Sequence, residues 1–208
     1  MKNKNKSKDH VPPDCIYPQE KPANLITVPC CTDCNGAFSE LDQKMRNFFA
    51  IIAGDKSGEL GKKAQSEILR SRKLSSDFLS YTKEHPSLID DQGKLRLVFY
   101  FDKDELSQWL VRVVKGLSFH RNKTRINDSS VYEVEILSQF MPQPSNSFPL
   151  EVGLEFRPHF VYGVIVGEAY DFWVLIFYDH LMFSVTVKPL AEQRAPNKLM
   201  QPTPYSRG

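Results

Sequence analysis

Residues with the side chains for metal-assisted hydrolysis of a phosphodiester bond are concentrated in the first 35 positions of the chain. Asp9 and His10 are adjacent, and Asn35 closes a segment that begins at Cys31. A histidine can activate water because its ordinary pKa, about 6.5, leaves much of it neutral at cellular pH. Magnesium takes one or two protein oxygens and completes its octahedron with water and phosphate, so Asp9 and Asn35 would be a sufficient protein contribution. These residue types predict a hydrolytic centre with His10 as the general base.

The predicted centre places a geometric condition on the strand that carries Asp9 and His10. Adjacent side chains on a strand point to opposite faces of the sheet. The two residues can therefore share a site only if the end of the strand is twisted or bulged there.

In their order, these residues resemble the HNH endonucleases, specifically the zinc-supported branch of that ββα-metal family. The resemblance covers about residues 8 to 53 and rests on Asp9-His10, then Asn24-Leu25, then Cys31-x-x-Cys34-Asn35 leading into a helix. It implies that His10 is the general base and that Asp9 and Asn35 bind a catalytic Mg²⁺ or Mn²⁺. It also implies that the Asn24 side chain braces the loop and orients the histidine, and that DNA is the substrate.

On the same resemblance, Cys31 and Cys34 would supply half of a structural zinc site. Members of this branch carry another Cys-x-x-Cys ahead of the Asp-His pair, whereas here only MKNKNKSK precedes it. Structural zinc is almost always four-coordinate. Cys15 is a better third ligand than Cys30, because adjacent Cys30 and Cys31 would have difficulty binding one ion together, and a fourth ligand is missing. We therefore expect a structural zinc site that is either incomplete or lost.

The cysteine pair has two further interpretations. In the first, Cys31 and Cys34 are buried thiols that pack as small apolar groups. A redox pair requires a βαβ context and a helix that starts immediately behind the first cysteine, and neither is evident in the sequence.

The polar residues also have simpler interpretations. In these interpretations, His10 is a solvated surface residue and Asp9 is an acidic residue in a turn or at a helix cap. Asn24 and Asn35 would be loop amides or helix caps, which for Asn35 is compatible with a role at a metal.

Composition limits the class of protein. Hydrophobic residues make up 41% of the 208 positions, with 14 Phe and 8 Tyr, which is too apolar for an intrinsically disordered protein. No run approaches the roughly 20 apolar residues that span a bilayer, and the basic N-terminus lacks the apolar stretch of a secretory signal. We therefore expect a cytoplasmic protein with no membrane partner. The net charge is only +2, so any attraction to DNA must come from local clusters.

Two basic clusters are candidates for such attraction. The segment that follows a predicted amphipathic helix is a compact loop whose predicted phosphate contacts are His120, Arg121, Lys123 and Arg125. An ordinary charged loop is the alternative. The second cluster is more typical of a solvated helix face, and comprises Lys62, Lys63, Arg70, Arg72 and Lys73.

The elements that must position these residues follow from periodicity and turn signals. Prolines divide residues 1–35 into short extended pieces, with a strand at 25–28. Apolar residues at helical spacing predict a helix that Ser39 caps and Gly54 ends. The remaining predictions are polar helices within 57–84, a strand at 95–101, a helix from Asp102 or Asp104 through Leu117, and strands at 131–137, 160–166, 172–178 and 182–187.

The predicted fold class is α+β. An N-terminal ββα-metal, HNH-like module (1–54) is followed by a domain of unassigned role (55–190) with helices and an antiparallel β-sheet, because the short gaps between the last strands favour a meander. The tail (191–208) is predicted to be disordered.

The leading hypothesis for function is a metal-dependent endonuclease that hydrolyses DNA. The alternative is a catalytically inactive, zinc-ribbon-like or degenerate HNH module that binds nucleic acid or protein. The sequence predicts neither the oligomeric state nor the sequence of the substrate.

Overall fold

The computed structural model describes the N-terminal segment, a central helix and a C-terminal sheet. The described residues are 6–17, 21–53, 62, 66, 70, 88–89, 95–96, 102–123, 125–126, 129–137, 151–153 and 159–188. The predicted tail at 191–208, most of the helical region at 57–84 and most of the strand at 95–101 lie outside these residues.

An antiparallel ladder opens the fold. Strand β1 (Lys6–Val11) pairs with β2 (Ile26–Cys31) in a register that is unbroken along both strands. Pro29 lies inside β2, which is tolerated because both strands of a two-stranded ladder are edge strands. A single 3₁₀ turn, Asp14–Ile16, follows β1 in the connection between them.

Helix α1 (Thr32–Ala53) begins directly after β2. The predicted start at Ser39 was wrong, and Ser39 is not a cap, because its Oγ donates to the Gly36 carbonyl at 3.0 Å inside the helix. The first turn carries no apolar face that periodicity could detect. It does carry Asp33, whose charge is favourable at a helix N-terminus.

Helix α2 (Lys103–Asn122) begins where its sequence indicates but continues beyond Leu117, so His120 and Arg121 lie in its last turn and the prediction that they belong to a loop was wrong. Asp102 Oδ1 accepts hydrogen bonds from the backbone N–H groups of Asp104 and Glu105 at 2.8 and 3.3 Å, which confirms the predicted cap. The helix ends at Lys123, which adopts a left-handed conformation with φ 55°.

A five-stranded antiparallel sheet forms the C-terminal part of the described fold. Its strands are β5 (Val131–Leu137), β6 (Glu151–Gly153), β7 (Phe160–Val166), β8 (Asp171–Phe177) and β9 (Leu181–Lys188). Their order is β5-β9-β8-β7-β6, which confirms the predicted antiparallel meander of the last three strands. A separate ladder joins the short strands β3 (Leu88–Ile89) and β4 (Leu95–Arg96). Helices and antiparallel sheets together confirm the α+β class.

The turn between β8 and β9 ties the sheet to the N-terminal segment. Tyr178 and Asp179 have φ values of 52° and 58°, the left-handed pair that a tight hairpin turn requires. The Tyr178 hydroxyl donates to the carbonyl of the fully buried Ile16 at 2.5 Å. The connection between β1 and β2 is therefore fixed against the sheet.

One apolar core joins α1, α2 and the sheet. The ring of Phe49 in α1 lies 5.4 Å from that of Trp109 in α2, between centroids. It also lies 4.8 Å from Phe177 in β8 and 5.6 Å from Phe183 in β9. The described residues of the predicted 1–54 module thus share a core with those assigned to 55–190. The boundary at residue 54 stays a prediction.

Helix α2 lies against β1 at a position that requires glycine. A Cβ built on Gly116 would lie 2.5 and 2.9 Å from the two γ-carbons of the buried Val11, well inside van der Waals contact. The missing side chain allows close contact between helix and strand, one helical turn beyond Arg112.

Candidate functional site

Strand β1 and the first turn of α1 bring two predicted metal ligands, Asp9 and Asn35, to one side of the ladder. Ser7 and Asp9 share a face because strand side chains alternate. In the first turn of α1, Asn35 Nδ2 lies 3.3 Å from Ser7 Oγ and 3.5 Å from the Lys8 carbonyl oxygen. Asp9 and Asn35 therefore lie on the same side of β1, close to the start of α1.

The carboxylate of Asp9 is held by an arginine of α2. Arg112 Nη2 and Nε lie 2.7 and 3.2 Å from Asp9 Oδ2. The same side chain donates through Nη1 to Asp42 Oδ1 at 2.6 Å. The side chains of Arg112, Asp9 and Asp42 are only 16, 13 and 13% exposed. We call this arrangement of Arg112 between Asp9 and Asp42 the guanidinium bridge.

Two aromatic residues fix the guanidinium bridge. Trp109 Nε1 donates to Asp42 Oδ1 at 2.8 Å. The guanidinium carbon of Arg112 lies 4.5 Å from the centroid of the Phe38 ring, within the range of a cation–π contact. Burial acts to lower the pKa of Arg112, but the carboxylates of Asp42 and Asp9 outweigh it and the net shift is upward. Arg112 is therefore a permanent positive charge beside Asp9.

His10 lies on the opposite face of β1 from Asp9. The register with β2 is unbroken here, so no bulge brings the two side chains together. His10 is 39% exposed, and its Nδ1 lies 3.9 Å from Asp14 Oδ2, beyond a hydrogen bond. Lys21 Nζ binds the same oxygen at 2.5 Å. The structure brings Asp9 and Asn35, the latter through its Nδ2, to one side of β1 and places His10 on the other.

The two cysteines of the predicted zinc site are joined to each other. Cys31 and Cys34 form a disulfide, with their Cα atoms 5.2 Å apart, and the Cys34 N–H donates to Cys31 Sγ at 3.0 Å. Zinc binds cysteine as the thiolate, and a cysteine in a disulfide carries no thiolate. Because α1 begins at Thr32, a helix does start immediately behind the first cysteine, which meets one of the two conditions for a redox pair.

The remaining cysteines lie elsewhere on the ladder and its connection. Burial raises the pKa of Cys15 to about 12, and its Sγ lies 3.4 Å from the Asp42 carbonyl oxygen. Cys30 is half-buried on β2, opposite Ser7. Within the described part of the chain, no group of three or more His, Cys, Asp or Glu side chains is arranged to hold a metal ion. A structural zinc site stays a prediction.

The residues with predicted supporting roles are mostly at the surface. Asn24 is exposed in a turn ahead of β2, and its predicted role in orienting His10 stays a prediction. The basic cluster lies at the C-terminal end of α2, where Lys123 Nζ donates to the His120 carbonyl at 2.6 Å. His120, Lys123 and Arg125 are exposed and Arg121 is half-buried. Contacts with phosphate at this end of the helix stay a prediction.

Sequence reasoning missed Arg112 and Asp42. Arg112 interrupts the apolar run Leu110–Val114 on α2, which is the signal that a half-buried charge needs a partner. The partners themselves lie 103 and 70 positions away, and only the fold identifies them.

Comparisons with protein-family models, with curated proteins and with solved structures found no match to this chain. Neither α1 nor α2, the long helices of the described residues, is apolar enough to cross a membrane.

Proposed function

We propose that β1, β2 and α1 form an HNH-type nuclease module that hydrolyses phosphodiester bonds of DNA with a divalent metal ion. The observation that carries the proposal is the position of Asp9 and Asn35 on one side of the ladder, beside the start of α1. Their carboxylate and amide oxygens are of the kind that Mg²⁺ and Mn²⁺ prefer. A bound ion would supply positive charge for the phosphate and its leaving oxygen.

The surroundings of Asp9 fit a cation in their chemistry. Two carboxylates, those of Asp9 and Asp42, converge on one positive charge, and both side chains are shielded from solvent. Arg112 supplies that charge. A metal ion at Asp9 would therefore use a carboxylate that is already arranged to bind a cation.

His10 is the proposed general base. Its partial exposure allows it to take a proton from water and return it to solvent. Asp14 approaches Nδ1, which leaves Nε2 as the nitrogen that faces away from this carboxylate. Nε2 would then accept the proton from a nucleophilic water.

A module of the same shape that binds nucleic acid or protein without cleavage is the second candidate. Two specific observations favour it: His10 lies on the opposite face from Asp9, and Asp9 is paired with Arg112. In that case Asp9 is a structural residue that fixes α2 to β1.

Plasmid nicking with Mg²⁺ or Mn²⁺ distinguishes the two candidates. We expect the purified protein to convert supercoiled plasmid to the nicked form, and His10→Ala to lose about 100-fold or more of the rate, as removal of a general base does. His180→Ala is the matched control, because His180 is an exposed histidine in the β8–β9 turn and is not part of β1, β2 or α1.

Equal nicking by the parent and by His10→Ala would exclude His10 as the base and would reject the HNH-type nuclease. Binding of plasmid without cleavage, unchanged in His10→Ala, would favour the second candidate. DNA as the substrate and the cytoplasm as the location stay predictions.

A further inference from the structure

The guanidinium bridge reaches the proposed metal site from a distant part of the chain. Arg112 belongs to α2, 103 positions from Asp9, and is not part of β1, β2 or α1. Its Nε and Nη2 both bind Asp9 Oδ2, and Nη1 binds Asp42. The helix therefore places a positive charge on a carboxylate that a metal ion would need.

We propose that Arg112 and a divalent cation compete for Asp9, so that α2 keeps the metal site closed until the guanidinium leaves. This inference rests on the proposed function, because it assumes that Asp9 is a metal ligand. It assigns to Arg112 a regulatory role that the resemblance to HNH enzymes does not include.

The competition follows from shared atoms and like charge. Magnesium and manganese bind carboxylate oxygens at about 2.0–2.2 Å, which leaves no room for two N–H donors on the same oxygen. A divalent ion next to an undisplaced guanidinium would also face repulsion inside a partly buried site. A metal ion on Oδ2 therefore requires that the Nε and Nη2 contacts break, and a metal ion on Oδ1 lies beside the guanidinium and is weakened by the repulsion between the two positive charges.

The cost of displacement appears as weaker metal binding. The apparent dissociation constant of a ligand rises in inverse proportion to the fraction of molecules that are open to it. Arg112 makes three charge-assisted hydrogen bonds and stacks on Phe38, so the open fraction is small. Removal of the guanidinium should therefore tighten Mn²⁺ binding by at least about tenfold.

Isothermal titration of Mn²⁺ into the full chain tests the proposal without any measurement of cleavage. The variants are Arg112→Met, which removes the charge but keeps an unbranched apolar stem, and Arg112→Met with Asp9→Asn, which also removes the proposed ligand. Arg70→Met is the control for the loss of one arginine, because Arg70 is exposed. We expect at least tenfold tighter binding in Arg112→Met, no change in Arg70→Met, and loss of the gain in the double variant.

A second measurement uses a protein that keeps the bridge, in case Arg112→Met fails to fold. Trp109 donates to the Asp42 oxygen that also binds Arg112, so departure of the guanidinium should change Trp109 fluorescence. In a Trp173→Phe background, titration with Mg²⁺ should change the emission in a saturable way. The same titration with Asp9→Asn added should not.

The outcomes separate this inference from the proposed function. Unchanged Mn²⁺ affinity in a folded Arg112→Met, or a gain that survives Asp9→Asn, would overturn the competition while leaving nicking by the parent protein intact. If that variant does not fold, a Trp109 response that persists in Asp9→Asn, or no saturable response, would overturn it as well. Tighter binding in Arg112→Met with no His10-dependent nicking would support the competition for Asp9 and reject the nuclease.

Discussion

The contact between Gly116 and Val11 gives a quantitative test of how α2 is held against β1. In Gly116→Ala the new methyl group would lie 2.5 Å from Val11 Cγ2 and 2.9 Å from Cγ1, so helix or strand must shift. Overpacking of this kind costs about 1–3 kcal/mol. Alanine recovers about 1 kcal/mol of helix propensity relative to glycine. We therefore expect a net loss of up to about 2 kcal/mol in the free energy of unfolding.

Urea denaturation of a double-mutant cycle measures the contact itself. Val11→Ala removes the two γ-methyl groups that the new Cβ would meet, and alone should cost about 1–2 kcal/mol because Val11 is only 3% exposed. The double variant Val11→Ala with Gly116→Ala should lose less stability than the sum of the two single losses, by at least about 1 kcal/mol. Additive losses, within about 0.5 kcal/mol, would refute the close approach of α2 and β1. They would also remove the basis for placing Arg112 at Asp9.

Two further predictions concern stability. Burial lowers the pKa of His159, against the opposing charge of Asp179, so the unfolded state binds more protons below pH about 6.5. The free energy of unfolding, measured by urea titration, should therefore fall as the pH drops from about 7.5 to 5. In His159→Phe it should fall less. A decrease of the same size in the parent protein and in His159→Phe would contradict this prediction. Asp102→Ala should lower the free energy of unfolding by about 1 kcal/mol, because two backbone N–H groups of α2 lose their acceptor. Thermal melts compare this variant with Asp104→Ala. A loss in Asp102→Ala that is no greater than the loss in Asp104→Ala would contradict the cap.

The elements that the sequence predicted well are those with local signals. Asp102 is followed by an apolar helical face, and the cap is where this pattern places it. The last three strands are rich in branched and aromatic residues and are separated by short turns, and they form the expected meander. Neither feature depends on a residue far away in the chain.

The features that the sequence did not predict depend on distant contacts or lack an apolar pattern. The first turn of α1 is polar, so periodicity placed the start of the helix at Ser39. Asp9 was predicted to bind a metal ion, but its side chain is paired with Arg112 of α2, 103 positions away. Alternation along a strand predicted that Asp9 and His10 point to opposite faces, and the unbroken register with β2 shows that no bulge changes this.

Cleavage by a variant without the Arg112 guanidinium tests most directly whether Asp9 and His10 belong to a nuclease site. The measurement is the rate of nicking of supercoiled plasmid in Mn²⁺ by Arg112→Met, compared with Arg112→Met that also carries His10→Ala. We expect Arg112→Met to nick plasmid faster than the parent protein does, and the added His10→Ala to lower the rate about 100-fold or more. The same rate in both variants, or no nicking in either, would contradict it.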